Sequence, residues 1–230
     1  MNARHEARGT GPEQSGTSAR PTALKPVSAV QVRRLGRVDY EPTWRAMQRF
    51  TEARDAHTPD ELWLLEHPPV YTLGLAARSE HLPRRDTGIA IVKTDRGGQV
   101  TYHGPGQIVL YVLLDLRRRG LGVRPLVRRL ERSVIDLLGQ YGIRGEARES
   151  APGVYVGGAK IAALGLRIRN GRSYHGLAFN VDMDLAPFRD IDPCGYAGLQ
   201  VTQARELGIG DDIETLGGKL LAALQSNLEP

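Results

Sequence analysis

A lone cysteine on a loop, a lysine at the head of a strand and a glycine-rich stretch ending in Tyr-His are the residues best equipped for chemistry. Cys194 sits in Ile191-Asp192-Pro193-Cys194-Gly195-Tyr196, where proline restricts the backbone before the thiol and glycine frees it after. A thiolate on such a bend can attack an activated acyl group, given a basic neighbour to generate it. An inert thiol packed under a loop is the alternative. Lys160 opens the strand-like run to Arg169, and period two puts it on one face with Ala162, Leu164, Leu166 and Ile168. An ammonium held on that apolar face loses hydration and gives up its proton more readily. The alternative is a snorkelling lysine whose head stays in water. Gly157 and Gly158, just before it, leave room for close backbone approach. Together Lys160 and Cys194 would make a base and a nucleophile.

The stretch Arg96-Gly97-Gly98-Gln99-Val100-Thr101-Tyr102-His103-Gly104-Pro105-Gly106-Gln107 leaves backbone N–H groups unshielded, suited to cradling an anion or an oxyanion. It lacks the Gly-Lys-Ser/Thr ending of a P-loop and the helix start of a dinucleotide fingerprint. A purely structural tight loop is the alternative. His175 precedes Gly176 and could contact a ligand or orient the site; His67, before Pro68-Pro69, could line the same pocket. Both could equally be satisfied core histidines. His57 and His81 read as surface loop residues, and His5 belongs to the tail. The spacing of His67, His103 and His175 matches no metal cluster, so no metal is expected.

These residues need a scaffold, and the patterning supplies one. Val30 to Leu35 suggests an opening strand, and Tyr40 to Ala56 a helix with Trp44, Met47 and Phe50 on one side. Glu61–Glu66 and Val70–Leu73 read as short strands flanking the paired prolines. Ile89 to Asp95 is strand-like, and Ile108 to Leu116 reads as a central strand buried on both faces. Pro125 to Gln140 is the clearest helix, with its stripe of Leu126, Leu130, Val134, Leu137 and Leu138, ended by Gly142. Gly153–Val156, Lys160–Arg169 and Ser173–Val181 read as further strands, the last two joined by an Asn170-Gly171 hairpin turn. Asp211 is expected to cap a final helix through about Leu224. Helices against a mixed sheet predict an α/β or α+β fold in one domain.

Composition narrows the function. The 230 residues carry a formal charge of +5, and Lys25, Lys93, Lys160 and Lys219 are the only lysines among 31 basic residues. Acids intersperse the bases, so no nucleic acid is expected as a partner, although a modest positive surface suits an acidic protein. No window is long and apolar enough for a membrane span and the start lacks a secretory signal, so no membrane role and a cytoplasmic location are expected. One cysteine forms no internal disulfide. Residues 1–27 have almost nothing apolar to pack and are expected to be a flexible tail before a catalytic domain over 28–230.

From about Leu35 to Leu207 the chain resembles the lipoyl(octanoyl) transferases, the lipoate-protein ligase B family. The resemblance rests on five motifs in order: Glu66-His67-Pro68-Pro69-Val70-Tyr71-Thr72-Leu73-Gly74, the run from Asp95 to Gln107, Gly157-Gly158-Ala159-Lys160-Ile161-Ala162, His175-Gly176-Leu177-Ala178-Phe179-Asn180, and Pro193-Cys194-Gly195. It implies an α/β fold, a single domain with a mixed sheet similar to the lipoate/biotin protein ligase catalytic core. It implies transfer of octanoyl from octanoyl-acyl carrier protein to one lysine of a lipoyl domain, with no cofactor. The acceptors would be lipoyl domains of 2-oxoacid dehydrogenase complexes and the glycine cleavage H protein, and the enzyme is expected to be a monomer. By motif, Cys194 would be the nucleophile and Lys160 the acid/base. Substrate would be held by Arg96, Gly97, Gly98, Gln99, Val100, Thr101, Tyr102 and His103, by Ala163, Leu164 and Gly165, and by Gly176, Leu177 and Ala178. The residues fit this reading, since a thioester donor is already activated and needs no ATP. Competing readings are an ATP-dependent lipoate or biotin protein ligase, a non-catalytic acyl-binding module, and a cysteine protease pairing His103 or His175 with the thiol.

Overall fold

Strands β1 (Gln31–Arg37) and β2 (Glu61–Glu66) run parallel at one edge of the main sheet. The connection between them is helix α1 (Tyr40–Ala53), the crossover that a parallel pair requires. These facts come from a computed structural model that describes residues 30–191 and 198–229. The expected tail at 1–27 and Cys194 lie outside the described residues.

Three strands form a smaller sheet, in the order β4 (Ala90–Lys93), β3 (Val70–Leu73), β5 (Val100–His103). The main sheet continues from β2 through β6 (Gln107–Leu113), β10 (Arg172–Asn180), β9 (Ala159–Arg169), β8 (Gly153–Val156) and β7 (Glu146–Ala147), all antiparallel. β6 sits in the middle and is buried at every position, which accounts for its uninterrupted apolar run. At the β9–β10 turn, Asn170 and Gly171 both have positive φ (52° and 77°), the geometry that a two-residue hairpin of matching twist demands.

Each face of the main sheet is covered. α2 (Val123–Gly139) and α3 (Ile213–Leu228) pack Leu126, Leu130, Leu220 and Leu224 against Ile108, Leu110, Leu177 and Phe179. On the opposite face α1 packs Trp44 and Met47 against Trp63, Val109, Tyr111 and Tyr174. A third cluster, built on Tyr71, Tyr102, Met183 and Phe188, lies under the small sheet.

Three local expectations need correction. β5 is a strand, whereas its residues read as part of a loop; flanking glycines hide a four-residue pairing with β3. The cap of α3 is Asp212, whose carboxylate accepts from Thr215 N at 2.7 Å, and the helix runs on to Leu228. Asp211, one residue too early to cap the first free N–H groups, instead accepts from Lys219 Nζ (2.7 Å) and Tyr141 O–H (2.6 Å).

Candidate active site

A cavity enclosing about 740 Å³, its open mouth included, lies on the α1 face of the main sheet, beneath the small sheet and the glycine-rich loop. Strand register explains its floor. Tyr111 pairs with Gly176 and Gly176 with Gly165; Val109 pairs with Ala178 and Ala178 with Ala163; Gln107 pairs with Asn180. Facing residues alternate along a strand, so all of these share one face. The floor is glycine and alanine on β9 and β10, and it turns polar at Gln107 and Asn180. Gly176 has a second constraint, because a Cβ there would overlap the carbonyl oxygen of Leu110.

Lys160 reaches this floor by an irregularity. Simple alternation puts it with Ala162, Leu164, Leu166 and Ile168, but that row packs toward α2 and α3. Register slips between Val154, opposite Ala162, and Tyr155, opposite Lys160. The extra residue turns Lys160 onto the cavity face, as a β-bulge does. There it is 3% exposed, with Nζ donating to Pro152 O at 3.4 Å and lying 5.2 Å from the centre of the Tyr155 ring. Its backbone is clamped as well: Lys160 N–H donates to Gln200 O and Thr202 N–H to Lys160 O. Residues 200–202 are therefore stitched to the lysine's own strand.

The wall above the floor is a chain of buried hydrogen bonds. Arg96 donates to Thr72 through Nε to Oγ1 (3.2 Å), Nη2 to Oγ1 (2.8 Å) and Nη2 to the carbonyl (2.6 Å). Thr72 turns its hydroxyl toward His103 Nε2 at 3.4 Å. His103 Nδ1–H donates to Gln107 Oε1 at 2.7 Å, because Gln107 spends its Nε2 hydrogens on Asn180 Oδ1 and Tyr102 O. This fixes His103 as the neutral tautomer with hydrogen on Nδ1. Burial pushes its pKa down to about 3, with His67 and Arg96 nearby adding to the effect.

Two further histidines are set in the same manner. His67 Nδ1–H donates to Val38 O at 2.6 Å, so Nε2 accepts from the Tyr111 hydroxyl at 2.7 Å. Burial lowers His67 to about 4. His175 has φ of 61° inside a strand, a conformation that costs a side chain of its kind roughly 1 kcal/mol or more. The twist turns its ring to the same side as Tyr174, 5.1 Å away and stacked, where its Nε2–H donates to Asp95 Oδ1 at 3.0 Å. Asp95 also accepts from Trp44 Nε1 (2.8 Å), Gln48 Nε2 (3.1 Å) and the Tyr174 hydroxyl. Burial would raise this carboxyl, but those four donors hold it well below the usual carboxylate range. Burial lowers His175 as well, against the pull of Asp95.

Of the residues singled out from the sequence, Arg96, Gly98, Gln99, Val100, Thr101, His103, Lys160, Ala163, Leu164, Gly165, His175, Gly176, Leu177 and Ala178 line the cavity. Three stand outside the lining. Gly97 backs onto β9, donating to Leu166 O at 2.8 Å. Tyr102 points the other way, into the cluster under the small sheet, because neighbours in a strand face opposite sides. His67 lies one layer behind, against Tyr111 and Tyr40. Sequence reasoning missed Tyr40, Thr72, Asp95, Tyr111 and Asn180; Thr72, Asp95 and Asn180 sat inside quoted motifs but were given no role there. Among the described residues no three His, Cys, Asp or Glu side chains converge to hold a metal ion, and no helix is long and apolar enough to cross a membrane.

Residues 39–225 match the family of lipoyl protein ligase A/B catalytic domains. The octanoyltransferase of Aromatoleum aromaticum is 63% identical over 212 residues, covering 91% of each chain. That of an Azoarcus species is 62% identical, covering 89% of this chain and 92% of its own. Among solved structures, lipoate-protein ligase A bound with ATP superposes with a TM-score of 0.70 at 15% identity, covering 87% of this chain and 86% of that one. The biotin protein ligase of Aquifex aeolicus with biotin and ATP gives 0.56 at 16% identity, over 86% and 70% of the two chains. At such identities the structures share the fold, a mixed-sheet α/β core of the lipoate and biotin ligase kind.

Proposed function

The chain belongs to the lipoyl protein ligase A/B catalytic-domain family, on its octanoyltransferase branch, and is an acyltransferase; we propose that it moves octanoyl from octanoyl-acyl carrier protein to a specific lysine of lipoyl domains through a thioester on Cys194. One catalytic domain, residues 28–230, would act as a monomer. Acceptors would be lipoyl domains of 2-oxoacid dehydrogenase complexes and the glycine cleavage H protein.

The observation that carries the reading is the buried Lys160 at one side of a slot floored by Ala163, Gly165, Gly176 and Ala178. A floor of glycine and alanine accepts an unbranched alkyl chain, and each buried methylene stabilises the complex by ~0.8 kcal/mol. In the first half-reaction Lys160 takes the proton from the Cys194 thiol, and the thiolate attacks the thioester carbonyl. The carbon–sulfur bond to the carrier breaks, and the carrier's thiolate recovers the proton. In the second, the acceptor amine attacks the acyl-cysteine, Lys160 takes the amine's proton, and the proton returns to the departing Cys194 sulfur as the amide forms. The Gly98 N–H of the 96–99 loop supplies a donor to the carbonyl oxygen as it gains charge, the Gly97 N–H being committed to Leu166 O. His103 and His67 stay neutral at pH 7, so neither competes for the role of charged acid.

Intact-mass measurement tests the reading. Treatment with octanoyl-acyl carrier protein should add ~126 Da, one octanoyl group replacing one hydrogen, and Cys194→Ser should abolish the adduct. Turnover by a wild-type protein that never carries the adduct under trapping conditions would sink the covalent route. Transfer from free octanoate only when ATP is added would favour the ligase reading instead.

A further inference from the structure

A lysine that accepts a proton where it is 3% exposed becomes a buried ammonium, and that charge needs partners. The peptide unit joining Pro152 to Gly153 lies against it. Its carbonyl oxygen accepts from Lys160 Nζ at 3.4 Å, and its N–H donates to Glu131 Oε1 at 3.0 Å. One amide thus stands between an ammonium and a carboxylate, its C=O toward the positive group and its N–H toward the negative one. Polarisation along such a chain strengthens each bond in it. Only glycine lets the peptide sit so close. A Cβ on residue 153 would come within 3.0 Å of Lys160 Cε, 3.3 Å of Nζ and 2.7 Å of the Ala162 carbonyl oxygen.

Glu131 is 7% exposed on α2, on the helix face that carries Val134 and Leu138. A carboxylate is costly there unless it has partners. Burial raises its pKa, while the Gly153 N–H, then Arg128 and Lys160, draw it back down. Other charged groups stand around the pair. Arg128 lies 3.8 Å from the exposed Glu149, and Arg148 sits over the Tyr155 ring, 4.1 Å from its centre, the ring that Lys160 Nζ also approaches. Two nearby guanidiniums oppose a charge on Lys160, and Glu131 supplies the buried negative charge that favours it. We propose that Glu131 is a positioning residue for Lys160: through the Pro152–Gly153 peptide it aims a polarised carbonyl at Nζ and stabilises the ammonium formed in each half-reaction, an inference resting on the octanoyl-transfer reading. Glu131 touches no substrate.

The test reads Lys160 directly. The chain has four lysines, so NMR of protein labelled with 13C at lysine Cε resolves them, and Lys160→Met assigns the signal. Glu131→Gln keeps an oxygen for the Gly153 N–H and removes the charge. In that variant the Lys160 titration midpoint should fall by roughly 1.5 pH units, the effect of one charge about 8 Å away at an effective dielectric near 20. The acid limb of octanoyl transfer should move down with it, and the plateau should drop several-fold, because a weaker base takes the proton less readily. Coupling is reciprocal, so Lys160→Met should raise the Glu131 carboxyl midpoint by the same amount, read from 13C-labelled glutamate. A folded Glu131→Gln with the wild-type Lys160 midpoint overturns the proposal. Should that variant fail to fold, an unmoved Glu131 midpoint in Lys160→Met overturns it equally. The two readings fail separately. Coupled midpoints in a protein that never transfers octanoyl keep the link and remove the transferase, while octanoyl transfer with independent midpoints does the reverse.

Discussion

Mild acid should destabilise this protein well before its carboxylates titrate. His67 and His103 are buried as neutral rings, each with Nδ1–H donating to an oxygen and Nε2 facing a hydroxyl, and their pKa values fall to about 4 and about 3. An unfolded histidine titrates near 6.5, so between pH 7 and 5 the unfolded chain binds protons that the folded chain refuses. A group whose folded value is depressed contributes stability that is present at high pH and is lost as pH falls below the unfolded value. From pH 7 to 5 the loss is about 1.8 kcal/mol per ring, near 4 for both. Spread over a domain of this size, that is a drop in melting temperature of roughly 8–15 °C. Urea titrations at half-unit pH steps would read it, with the m-value unchanged. Imidazole NMR signals of His67 and His103 should hold still throughout that window. Stability flat from pH 7 to 5, or either ring titrating near 6.5, would refute the neutral burial on which the wall is built.

Asp95→Asn keeps the shape but weakens the four bonds that converge there, and should cost about 2–3 kcal/mol at pH 7 by urea midpoint. The deficit should shrink as pH falls below the usual aspartate value of 3.8, since the wild-type carboxylate loses its advantage there. Thr72→Val removes the oxygen shared by Arg96 and His103 and should cost about 1.5–3 kcal/mol and most of the activity, with Thr72→Ser restoring both. Gly98→Val meets only Arg96 Nη1 at 3.5 Å, but φ is +85°, so about 1–2 kcal/mol of stability should go, and transfer should fall much further than that loss explains. Equal loss of both would mark Gly98 as purely structural. Lys160→Arg should fold and bind acyl chains yet form no adduct on Cys194, because a guanidinium does not release its proton at neutral pH; a normal adduct rate measured by mass would remove Lys160 from the proton path.

Local chemistry made much of the scaffold legible. The Pro68-Pro69 pair separates β2 from β3 because neither residue can donate to a ladder, and Asn170-Gly171 names its own turn. Of the residues that floor the cavity, Gly176 and Ala178 stand in a motif visible in the sequence, and the family resemblance points to Ala163 and Gly165. Lys160 shows where such reading stops: its side depends on a bulge set by Val154 and Tyr155 of the neighbouring strand, and periodicity within one strand carries no trace of it. Asp95 shows the same limit at longer range. Its four donors lie 47, 51, 79 and 80 positions away, so nothing beside it in the chain marks it as a hub.

The β9–β10 hairpin closes through two residues, whereas the Asp95 hub needs α1, the end of β4 and β10 all in place. Short closure loses little chain entropy and is fast; pairing across tens of residues is slower and comes later. The pairing of the cavity floor is therefore an early event in refolding, and its walls belong to the closing steps. The order also runs backward. Lifting α1 strips Trp44 and Gln48 from Asp95 and the Tyr40 ring from His67 and His103, while the hairpin beneath stays paired. Dilute denaturant should thus silence the enzyme at concentrations where the sheet's far-UV signal is still whole, which makes catalytic integrity a property of one helix's seating rather than of the fold's survival.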